Sequence, residues 1–243
     1  MKEFFSIKWH PCLDSTQDFL LSLDEKDIFH FLVIATKNQT CGRGQGDNVW
    51  ESEKDKTITF SLALEPQNIR AEDQFVLTQI VSLSILDYLK TYLDNVFIKW
   101  PNDIYIGENK ICGILIQNKI LGQNISKSVV GIGLNVNQTY FSLAKNATSL
   151  KNELKKEFII EEEMEKLLLC IKYRYERYKE ENDLKQEYLS NLLYYNKWNN
   201  YIYKQENIRA RIIDVNSFGH LILEKEDKTK IIAELRELKF IIH

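Results

Sequence analysis

The sequence predicts an α+β fold, in which a mixed β-sheet packs with helices and a small β domain follows at the C-terminal end. Residues 57–64 alternate large apolar and small side chains, which is typical of a strand. Residues 72–93 are apolar on most sides and predict a long, largely buried helix. After Trp198 the sequence changes to short β-prone segments separated by turn residues, which predicts a small barrel-like β domain.

The composition is typical of a globular protein with one sizeable core and room for a small appendage. The chain has 243 residues, of which 44% are hydrophobic and 28% charged. A net charge of -3 does not indicate a surface for nucleic acid or for an anionic membrane. No apolar run has the length of a signal peptide or a membrane span. The four cysteines lie far apart without a CxxC pair, so we expect reduced thiols, no metal site and a cytoplasmic location.

Glycine is scarce and unevenly placed. The chain has 9 glycines, and all but one lie between Gly42 and Gly133. Glycine is needed where the backbone adopts unusual angles or approaches a ligand closely. The clusters at 42/44/46, 107/113 and 131/133 therefore mark a candidate site.

A helix is predicted after a first strand at residues 4–9. Asp14 is expected to be its N-cap, with Gln17 at the capping-box position. Ser15 and Thr16 have two interpretations. They either simply open the helix, or they line a site for a ligand carbonyl or carboxylate, because a helix N-terminus offers free N–H groups.

A polar, glycine-rich loop at residues 37–49 follows a short apolar strand and precedes Trp50. Alternating glycines let successive N–H groups converge on an anion, and Arg43 adds a permanently charged donor. The loop is neither a Walker A sequence nor a GxGxxG segment that opens a helix. It is either a plain connection or an anion-binding loop.

Residues 99–116, KWPNDIYIGENKICGILI, predict the end of a strand, a sharp break and a hairpin. Pro101 cannot donate to a sheet ladder, so the strand that begins at Val96 is expected to end at Trp100. A loop at 108–109 would place one set of residues on one face: Asp103, Tyr105, Lys110 and Cys112. The opposite face would hold Ile104, Ile106, Ile111 and Gly113. The acid of Asp103 and the amine of Lys110 are then expected to flank a ligand rather than form a direct salt bridge.

Residues 128–137, SVVGIGLNVN, predict a strand with one apolar face and one face of glycine and asparagine. The second face buries little apolar surface. It is either a bulge or a close sheet–helix contact, or a flat floor under a ligand with Asn135 as a polar contact. Residues 161–179 and 183–195 predict two charged, tyrosine-rich helices whose apolar stripes are expected to belong to the core.

Several of these motifs resemble the biotin–protein ligases: Ser15-Thr16-Gln17, the GRG of residues 42–44, KWPND at 99–103 with Lys110 and Gly113 after it, GIGLNVN at 131–137 and ATSL at 147–150. The match runs from about Asp14 to Leu150 and continues more weakly to the end. The resemblance implies a class II synthetase-like biotin/lipoate ligase domain at residues 1–194 and an SH3-like domain at 195–243. The Ser-Thr motif begins too early for an N-terminal winged helix, so nucleic-acid binding and repressor activity are not expected.

The resemblance also implies a reaction. ATP, with Mg²⁺ held by its phosphates, would convert biotin to biotinyl-5'-AMP, and biotin would then pass to a lysine of a biotin carboxyl carrier domain. No membrane partner is expected, and a homodimer is compatible because ligases of this family often pair through their sheets. The alternatives are a lipoate–protein ligase or octanoyltransferase, whose RRxSGG-like motif is absent here, and a biotin-binding protein that has lost catalysis.

Carried over residue by residue, the resemblance assigns three sets of site residues and no metal ligands. The catalytic set is Lys110, Arg43 and Asp103. The biotin-binding set is Ser15, Thr16, Gln17, Gln39, Gly42, Arg43, Lys110, Gly113, Gly131 and Gly133. The set for ATP and the adenylate is Arg43, Gly44, Gln45, Trp50, Asn102, Asp103 and Asn135.

Lys110 is expected to stabilise the oxyanion that develops on the carboxylate or the α-phosphate. Asp103 would orient the ligand or metal-bound water, or act on the incoming lysine, and these roles stay open. The family commonly reads GRGRxGRxW where this chain reads GRGQGDNVW, so Gln45 replaces a second arginine and Gly46-Asp47 replaces a basic residue and a glycine. Fewer cations near the phosphates are expected to loosen the hold on the adenylate without changing the reaction class.

Overall fold

The computed structural model describes residues 4–178 and 184–241. The strands of the first 135 residues are β1 (Ser6–His10), β2 (Leu32–Thr36), β3 (Gly42–Arg43), β4 (Val49–Trp50), β5 (Thr57–Leu64), β6 (Val96–Lys99), β7 (Asp103–Ile106), β8 (Asn109–Leu121) and β9 (Asn124–Asn135). The helices are α1 (Thr16–Ser22), α2 (Phe75–Lys90), α3 (Leu150–Leu154), α4 (Ile160–Arg177) and α5 (Leu184–Ser190). The last strands are β10 (Trp198–Tyr203), β11 (Glu206–Val215), β12 (Leu221–Lys225), β13 (Lys230–Ala233) and β14 (Leu238–Phe240).

Seven strands form a mixed sheet in the order β1-β2-β5-β9-β8-β7-β6. β1 runs parallel to β2, and the other neighbours are antiparallel. The large apolar side chains of β5 join the main core with α2 and α4. On its other face Ser61 and Ala63 contact α1, and all eight residues of β5 are buried. The predicted long, buried helix is confirmed as α2, although a separate 3-10 turn occupies 71–73.

The C-terminal strands form a separate antiparallel sheet in the order β13-β12-β11-β10-β14. It is fixed to the larger part where Trp100 Nε1 donates to the carbonyl oxygen of Gly219 at 2.7 Å. Gly219 has a φ of +88, and a Cβ there would lie 2.4 Å from the Phe75 ring. The predicted α+β fold with a small C-terminal β domain is confirmed, while the boundary at 194/195 stays a prediction.

Some predicted element ends differ from the structure. The strand expected to end at Trp100 ends at Lys99, because residues 100–102 already form the turn. Lys179 and Asp183, at the ends of the two predicted helices, lie outside the described residues. Within the described ranges, no helix combines the length and the apolar character that crossing a membrane requires.

A buried carboxylate joins α4 to α2. Glu163 accepts hydrogen bonds from the hydroxyls of Tyr88 at 2.6 Å and Tyr92 at 2.7 Å. Lys166 Nζ lies 2.7 Å from its other oxygen. Burial alone would raise the pKa of Glu163, but the hydrogen bonds from Lys166, Tyr88 and Tyr92 outweigh it and lower the pKa below the ordinary 4.5. Because the folded pKa is lowered, the ionised carboxylate stabilises the fold above pH 4.5, and this contribution is lost as the pH falls through the folded pKa.

Replacing Glu163 with glutamine is therefore expected to lower the free energy of unfolding at pH 7 by about 1–2 kcal/mol. The deficit relative to the wild type should shrink as the pH falls below 4.5, which urea unfolding at several pH values would measure. Glu162→Gln, on the exposed face of the same helix, is the matched control. A deficit that is the same at pH 3 and pH 7 would contradict this interpretation.

Candidate functional site

A cavity of about 510 Å³ opens beside the glycine-rich loop. Its wall comes from the start of α1, the β3–β4 ribbon, the corner between β6 and β7, strands β8 and β9, and the last strand, β14. Its charged lining among the described residues consists of four cations and one carboxylate: Arg43, Lys99, Lys110, Lys239 and Asp103. The cavity therefore suits an anionic ligand.

The structure brings most of the predicted site residues to this one cavity. Those that line it are Ser15, Thr16, Gln17, Gln39, Arg43, Gly44, Gln45, Trp50, Asn102, Asp103, Lys110, Gly113, Gly131 and Gly133. Two of the predicted residues, Gly42 and Asn135, are not part of the lining.

Gly42 serves the ribbon, and its expected biotin contact stays a prediction. It pairs with Trp50 across β3 and β4, and a Cβ at Gly42 would lie 2.4 Å from the Trp50 carbonyl oxygen. The same Cβ would lie 2.7 Å from Nε2 of Gln39. Glycine is needed here because two backbones and a side chain meet closely.

Asn135 also lies outside the cavity lining, and its expected adenylate contact stays a prediction. Its side chain is buried, and Nδ2 donates to the Thr148 carbonyl oxygen at 3.0 Å. The segment 146–148 pairs with the backbone of Lys110, whose N–H donates to the oxygen of Asn146 at 2.8 Å. The Thr148 N–H donates in turn to the oxygen of Lys110 at 2.9 Å. Asn135 thus supports the strand segment that carries Lys110.

The N-terminus of α1 is built around Ser15 rather than Asp14. Ser15 is the N-cap, and its Oγ accepts a hydrogen bond from the Asp18 N–H at 3.2 Å. Asp14 was expected in this position, but its carboxylate accepts from the Thr40 hydroxyl at 2.5 Å. Asp14 therefore ties the start of the helix to the glycine-rich loop.

Gln17 does not serve a capping box, so its expected role at the start of α1 was wrong. Its side chain is buried, where Oε1 accepts from the Ser61 hydroxyl at 3.0 Å and Nε2 donates to Gln117 at 2.9 Å. A Cβ at Gly131 would lie 2.7 Å from Gln17 Oε1. Gly131 therefore leaves room for this amide on the floor of the cavity.

The N–H groups expected to be free at the helix start are partly engaged. Gln39 Oε1 accepts from the Thr16 N–H at 2.9 Å and from its hydroxyl at 3.3 Å. The Gln39 side chain therefore joins the loop after β2 to the first turn of α1. A ligand that binds at this end meets amide and hydroxyl groups that are already oriented.

The glycine-rich loop contains the short β3–β4 ribbon and so is more than a plain connection. The Gly44 N–H donates to the Asn48 oxygen at 2.8 Å, which closes the turn between the two strands. Arg43 Nη1 lies 2.5 Å from Oδ1 of Asp18, a residue that sequence reasoning missed. Both side chains are about half exposed, so water screens this pair and a competing anion can replace the carboxylate.

The glycine face of β9 lies against an indole. A Cβ at Gly133 would lie 2.3 Å from Cε2 of Trp50, and one at Gly113 would lie 3.1 Å from Cζ3. Lys110 Nζ lies 5.5 Å from the centre of the same ring. The glycine face of this strand was interpreted either as a close packing contact or as a flat floor under a ligand, and here the structure shows a close packing contact. The partner, however, is a tryptophan from the glycine-rich loop, which itself lines the cavity.

A β-bulge changes the register of the predicted hairpin. Tyr105 pairs with Lys110 and Asp103 pairs with Gly113, with a shift between Ile104 and Tyr105. Because one extra residue of β8 is accommodated, Gly113 lies on the face of Asp103 and Lys110, whereas Cys112 is buried opposite Ile104. The expected faces were wrong for these two positions.

Asp103 and Lys110 form a direct salt bridge, so the expectation that they would not contact each other directly was wrong. Lys110 Nζ lies 2.6 Å from Asp103 Oδ1. The turn lies at 107–108 and not at the expected 108–109, so Lys110 pairs with Tyr105 and is a diagonal neighbour of Asp103, within reach of a long side chain. Beside them, Asn102 is held by its Nδ2, which donates to the oxygen of Ile114 at 2.6 Å.

Lys99 is one of two cavity cations that sequence reasoning missed, and Lys239 is the other. Lys99 Nζ lies 3.9 Å from Asp103 Oδ2, because Lys99 pairs with Asp103 at the corner between β6 and β7. Burial lowers the pKa of Lys99, and the nearby charge of Asp103 acts in the opposite direction. A lysine at the end of an otherwise apolar strand was the signal that could have revealed it.

The C-terminal sheet also contributes to the cavity, although no pattern in the sequence indicated that it would. Four of its residues line the wall: Leu235, Leu238, Lys239 and Phe240. Lys99 Nζ lies 5.3 Å from the centre of the Phe240 ring. Nη2 of Arg236 would lie 3.2 Å from a Cβ at Gly46, so a guanidinium stands beside the glycine-rich loop.

Comparison with known proteins agrees with this geometry. The model of the biotin/lipoate A/B protein ligase family matches residues 9–135, more than half of the 243 residues. The chain belongs to this family. Family membership accounts for the mixed sheet and for the motifs along α1, the glycine-rich loop and β6–β9.

Individual members of the family are similar over part of their length. A bifunctional ligase/repressor BirA of Bacillus subtilis is 29% identical over 175 residues, covering 70% of this chain and 54% of that protein. Biotin–protein ligase 1 of Arabidopsis thaliana is 34% identical over 146 residues, covering 57% of this chain and 38% of that protein. The chain thus spans about half of the first of these relatives and less of the second.

Solved structures of the family extend the similarity to the whole chain. A biotin protein ligase of Aquifex aeolicus has a TM-score of 0.76 at 23% identity and covers 99% of this chain and 100% of that one. A mutant of the Aquifex aeolicus ligase, in complex with biotin, has a TM-score of 0.74 at 26% identity, with the same coverage. These similarities confirm the fold that the sequence motifs implied, including the small C-terminal β domain.

Proposed function

We propose that this chain activates biotin with ATP to biotinyl-5'-AMP and transfers biotin to a lysine of a biotin carboxyl carrier domain. The observation that carries the proposal is a cavity whose lining combines amide and hydroxyl groups at the start of α1 with four cations. Biotin offers a polar ring system and a carboxylate, and ATP offers phosphates, so both chemistries have complementary partners there. The similarity to a ligase of known structure with biotin bound supports the choice of acid.

In the first step a biotin carboxylate oxygen attacks the α-phosphorus of ATP, and pyrophosphate leaves. Lys110 and Arg43 would neutralise the charge that develops, each by exchanging a protein carboxylate for the ligand: Lys110 leaves Asp103, and Arg43 leaves Asp18. In the second step a neutral carrier lysine attacks the activated carbonyl, AMP leaves, and the nitrogen of the new amide gives its extra proton to water. Positioning and charge stabilisation supply the catalysis in both steps.

Mg²⁺ would enter with ATP, because it prefers phosphate oxygens and water to an all-protein site. No group of three or more histidine, cysteine, aspartate or glutamate side chains among the described residues has the arrangement of a metal site. Asp103 is the carboxylate of the described cavity lining and would face the metal's water ligands. Magnesium would supply charge neutralisation on the phosphates.

A carrier domain is the proposed partner, since the amine acceptor must come from another protein. We propose a cytoplasmic location, because the four cysteines are unpaired thiols and two of them, Cys12 and Cys41, are exposed. The absence of nucleic-acid binding and the assigned domain boundary remain predictions, and the oligomeric state stays open between a monomer and a homodimer.

Pyrophosphate release without any carrier tests the proposal. With ATP and biotin we expect release, and with ATP and lipoate in place of biotin we expect none. Pyrophosphate release with lipoate but not with biotin would favour the lipoate-ligase alternative. No release with either acid would favour a binding protein without catalysis. Labelled biotin, ATP and a carrier domain then test the transfer step.

Arg43→Ala is expected to speed the escape of biotinyl-5'-AMP, because it removes the guanidinium between the ribbon and α1. Free adenylate acylates exposed amines, so labelling should spread from the carrier to unrelated lysines, as mass spectrometry of a protein mixture would detect. Arg209→Ala, at an exposed ion pair on β11, is the control. Labelling that stays confined to the carrier would show that this arginine does not retain the intermediate.

A further inference from the structure

Asp103 has two ammonium neighbours, one on each adjoining strand. Lys110 Nζ on β8 lies 2.6 Å from Oδ1, and Lys99 Nζ on β6 lies 3.9 Å from Oδ2. The Asp103 side chain is 16% exposed, and those of Lys99 and Lys110 are 19% and 27% exposed. Two cations therefore share one largely buried carboxylate.

An anion that enters the cavity competes with Asp103 for Lys110. If Lys110 turned to the ligand and no second cation were present, Asp103 would be left as an unpaired carboxylate next to a negative ligand. Leaving one partner of a largely buried ion pair uncompensated is strongly destabilising. The exchange requires another positive charge that stays with Asp103.

Lys99 is held beside Asp103 by its position in the sheet and by two aromatic rings. Its backbone pairs with that of Asp103 in the β6–β7 ladder, so the two residues cannot separate without breaking the sheet corner. Its ammonium group lies 5.4 Å from the centre of the Tyr105 ring and 5.3 Å from that of Phe240, one from each sheet. These contacts hold the amine on the Asp103 side of the cavity.

We infer that Lys99 is the counter-ion that keeps Asp103 in position while Lys110 transfers to the ligand anion. Lys99 is then a positioning residue, which acts through Asp103 and Lys110 rather than by touching the reacting atoms. Only the identity of the anion rests on the proposed function, since the shared carboxylate is a property of the protein itself.

The dependence of Asp103 on both lysines can be measured without any ligand. The Lys110→Met variant removes the Lys110 ammonium group from Asp103, as its transfer to a ligand would. In the wild-type background, Lys99→Met leaves Asp103 with its closer cation and should lower the melting temperature by no more than about 2 °C. In the Lys110→Met background the same change removes the last cation, and the melting temperature should fall by about 6 °C or more.

Lys119→Met is the matched control, since this lysine forms an exposed ion pair with Glu25. It should change the melting temperature equally in both backgrounds. An equal effect of Lys99→Met in the two backgrounds would overturn the inference, because Asp103 would then not depend on Lys99 when Lys110 is gone. A larger effect in the Lys110→Met background supports the inference even if the protein releases no pyrophosphate with biotin, an outcome that would refute only the proposed function.

Adenylation kinetics give the second readout. Lys99→Met should lower kcat for pyrophosphate release by about 10-fold or more, with the KM for ATP changed by less than about 3-fold. Lys99→Arg, which keeps the charge, should restore kcat to within about 3-fold of the wild type. A raised KM for ATP with unchanged kcat would mean that Lys99 binds the nucleotide directly and would overturn the positioning role.

Discussion

Lys110→Ala is expected to slow formation of the adenylate by at least ~100-fold, which is the cost of losing one donor to a developing oxyanion. Lys110 is the cation closest to Asp103 and lies beside the Trp50 ring, so no other lysine of the described residues occupies its place in the cavity wall. Pyrophosphate release with saturating biotin and ATP measures the rate. The effect should appear in kcat, because the interaction strengthens as charge develops.

Loss of folding does not explain such a decrease if the variant unfolds at a similar temperature. Asp103 keeps Lys99 as its counter-ion in the Lys110→Ala protein, so we expect a change in melting temperature of only a few degrees. Lys119→Ala, at an exposed ion pair, is the kinetic control. An unchanged rate for Lys110→Ala would remove Lys110 from the mechanism.

Gly133→Ala is expected to reduce kcat/KM for ATP by about 100-fold, although it adds a single methyl group. The new Cβ would lie 2.3 Å from Cε2 of Trp50, so the indole and the ribbon that carries it must move. A displacement of about 1 Å in a residue that positions substrate can cost about 10²-fold in rate. Steady-state kinetics with varied ATP would measure the loss.

Gly122→Asn is the matched control, at the turn between β8 and β9. Its φ is +65, which asparagine tolerates, and no atom lies within 4 Å of the position of its Cβ. The control should retain wild-type kinetics. If Gly133→Ala also retains them, the contact between Trp50 and the floor of the cavity has no role in binding the nucleotide.

Much of the fold could be predicted because its signals are local. Alternation along residues 57–64, the apolar run in α2 and the turn at Pro101 each depend on neighbouring residues, and these elements are present at nearly the predicted positions. Most of the cavity residues could be named because their motifs resemble a family whose chemistry is known.

What could not be predicted depends on register and on distant contacts. The turn at 107–108, one residue earlier than expected, places Lys110 within reach of Asp103, and one bulged residue in β8 moves Gly113 to the same face. The ion pair of Asp18 with Arg43 requires that α1 and the ribbon meet, which no pattern along the chain reveals. The same is true of Phe240, which reaches the cavity from a different sheet.

The cavity between α1, the ribbon and the β6–β7 corner is the place where we propose that biotin is joined to AMP. A crystal structure of the protein with biotin and a non-hydrolysable ATP analogue tests this most directly. We expect the biotin carboxylate and the α-phosphate to lie within hydrogen-bonding distance of Lys110 Nζ, with Lys99 still beside Asp103. Biotin and nucleotide bound away from both Lys110 and Arg43 would contradict the proposed site.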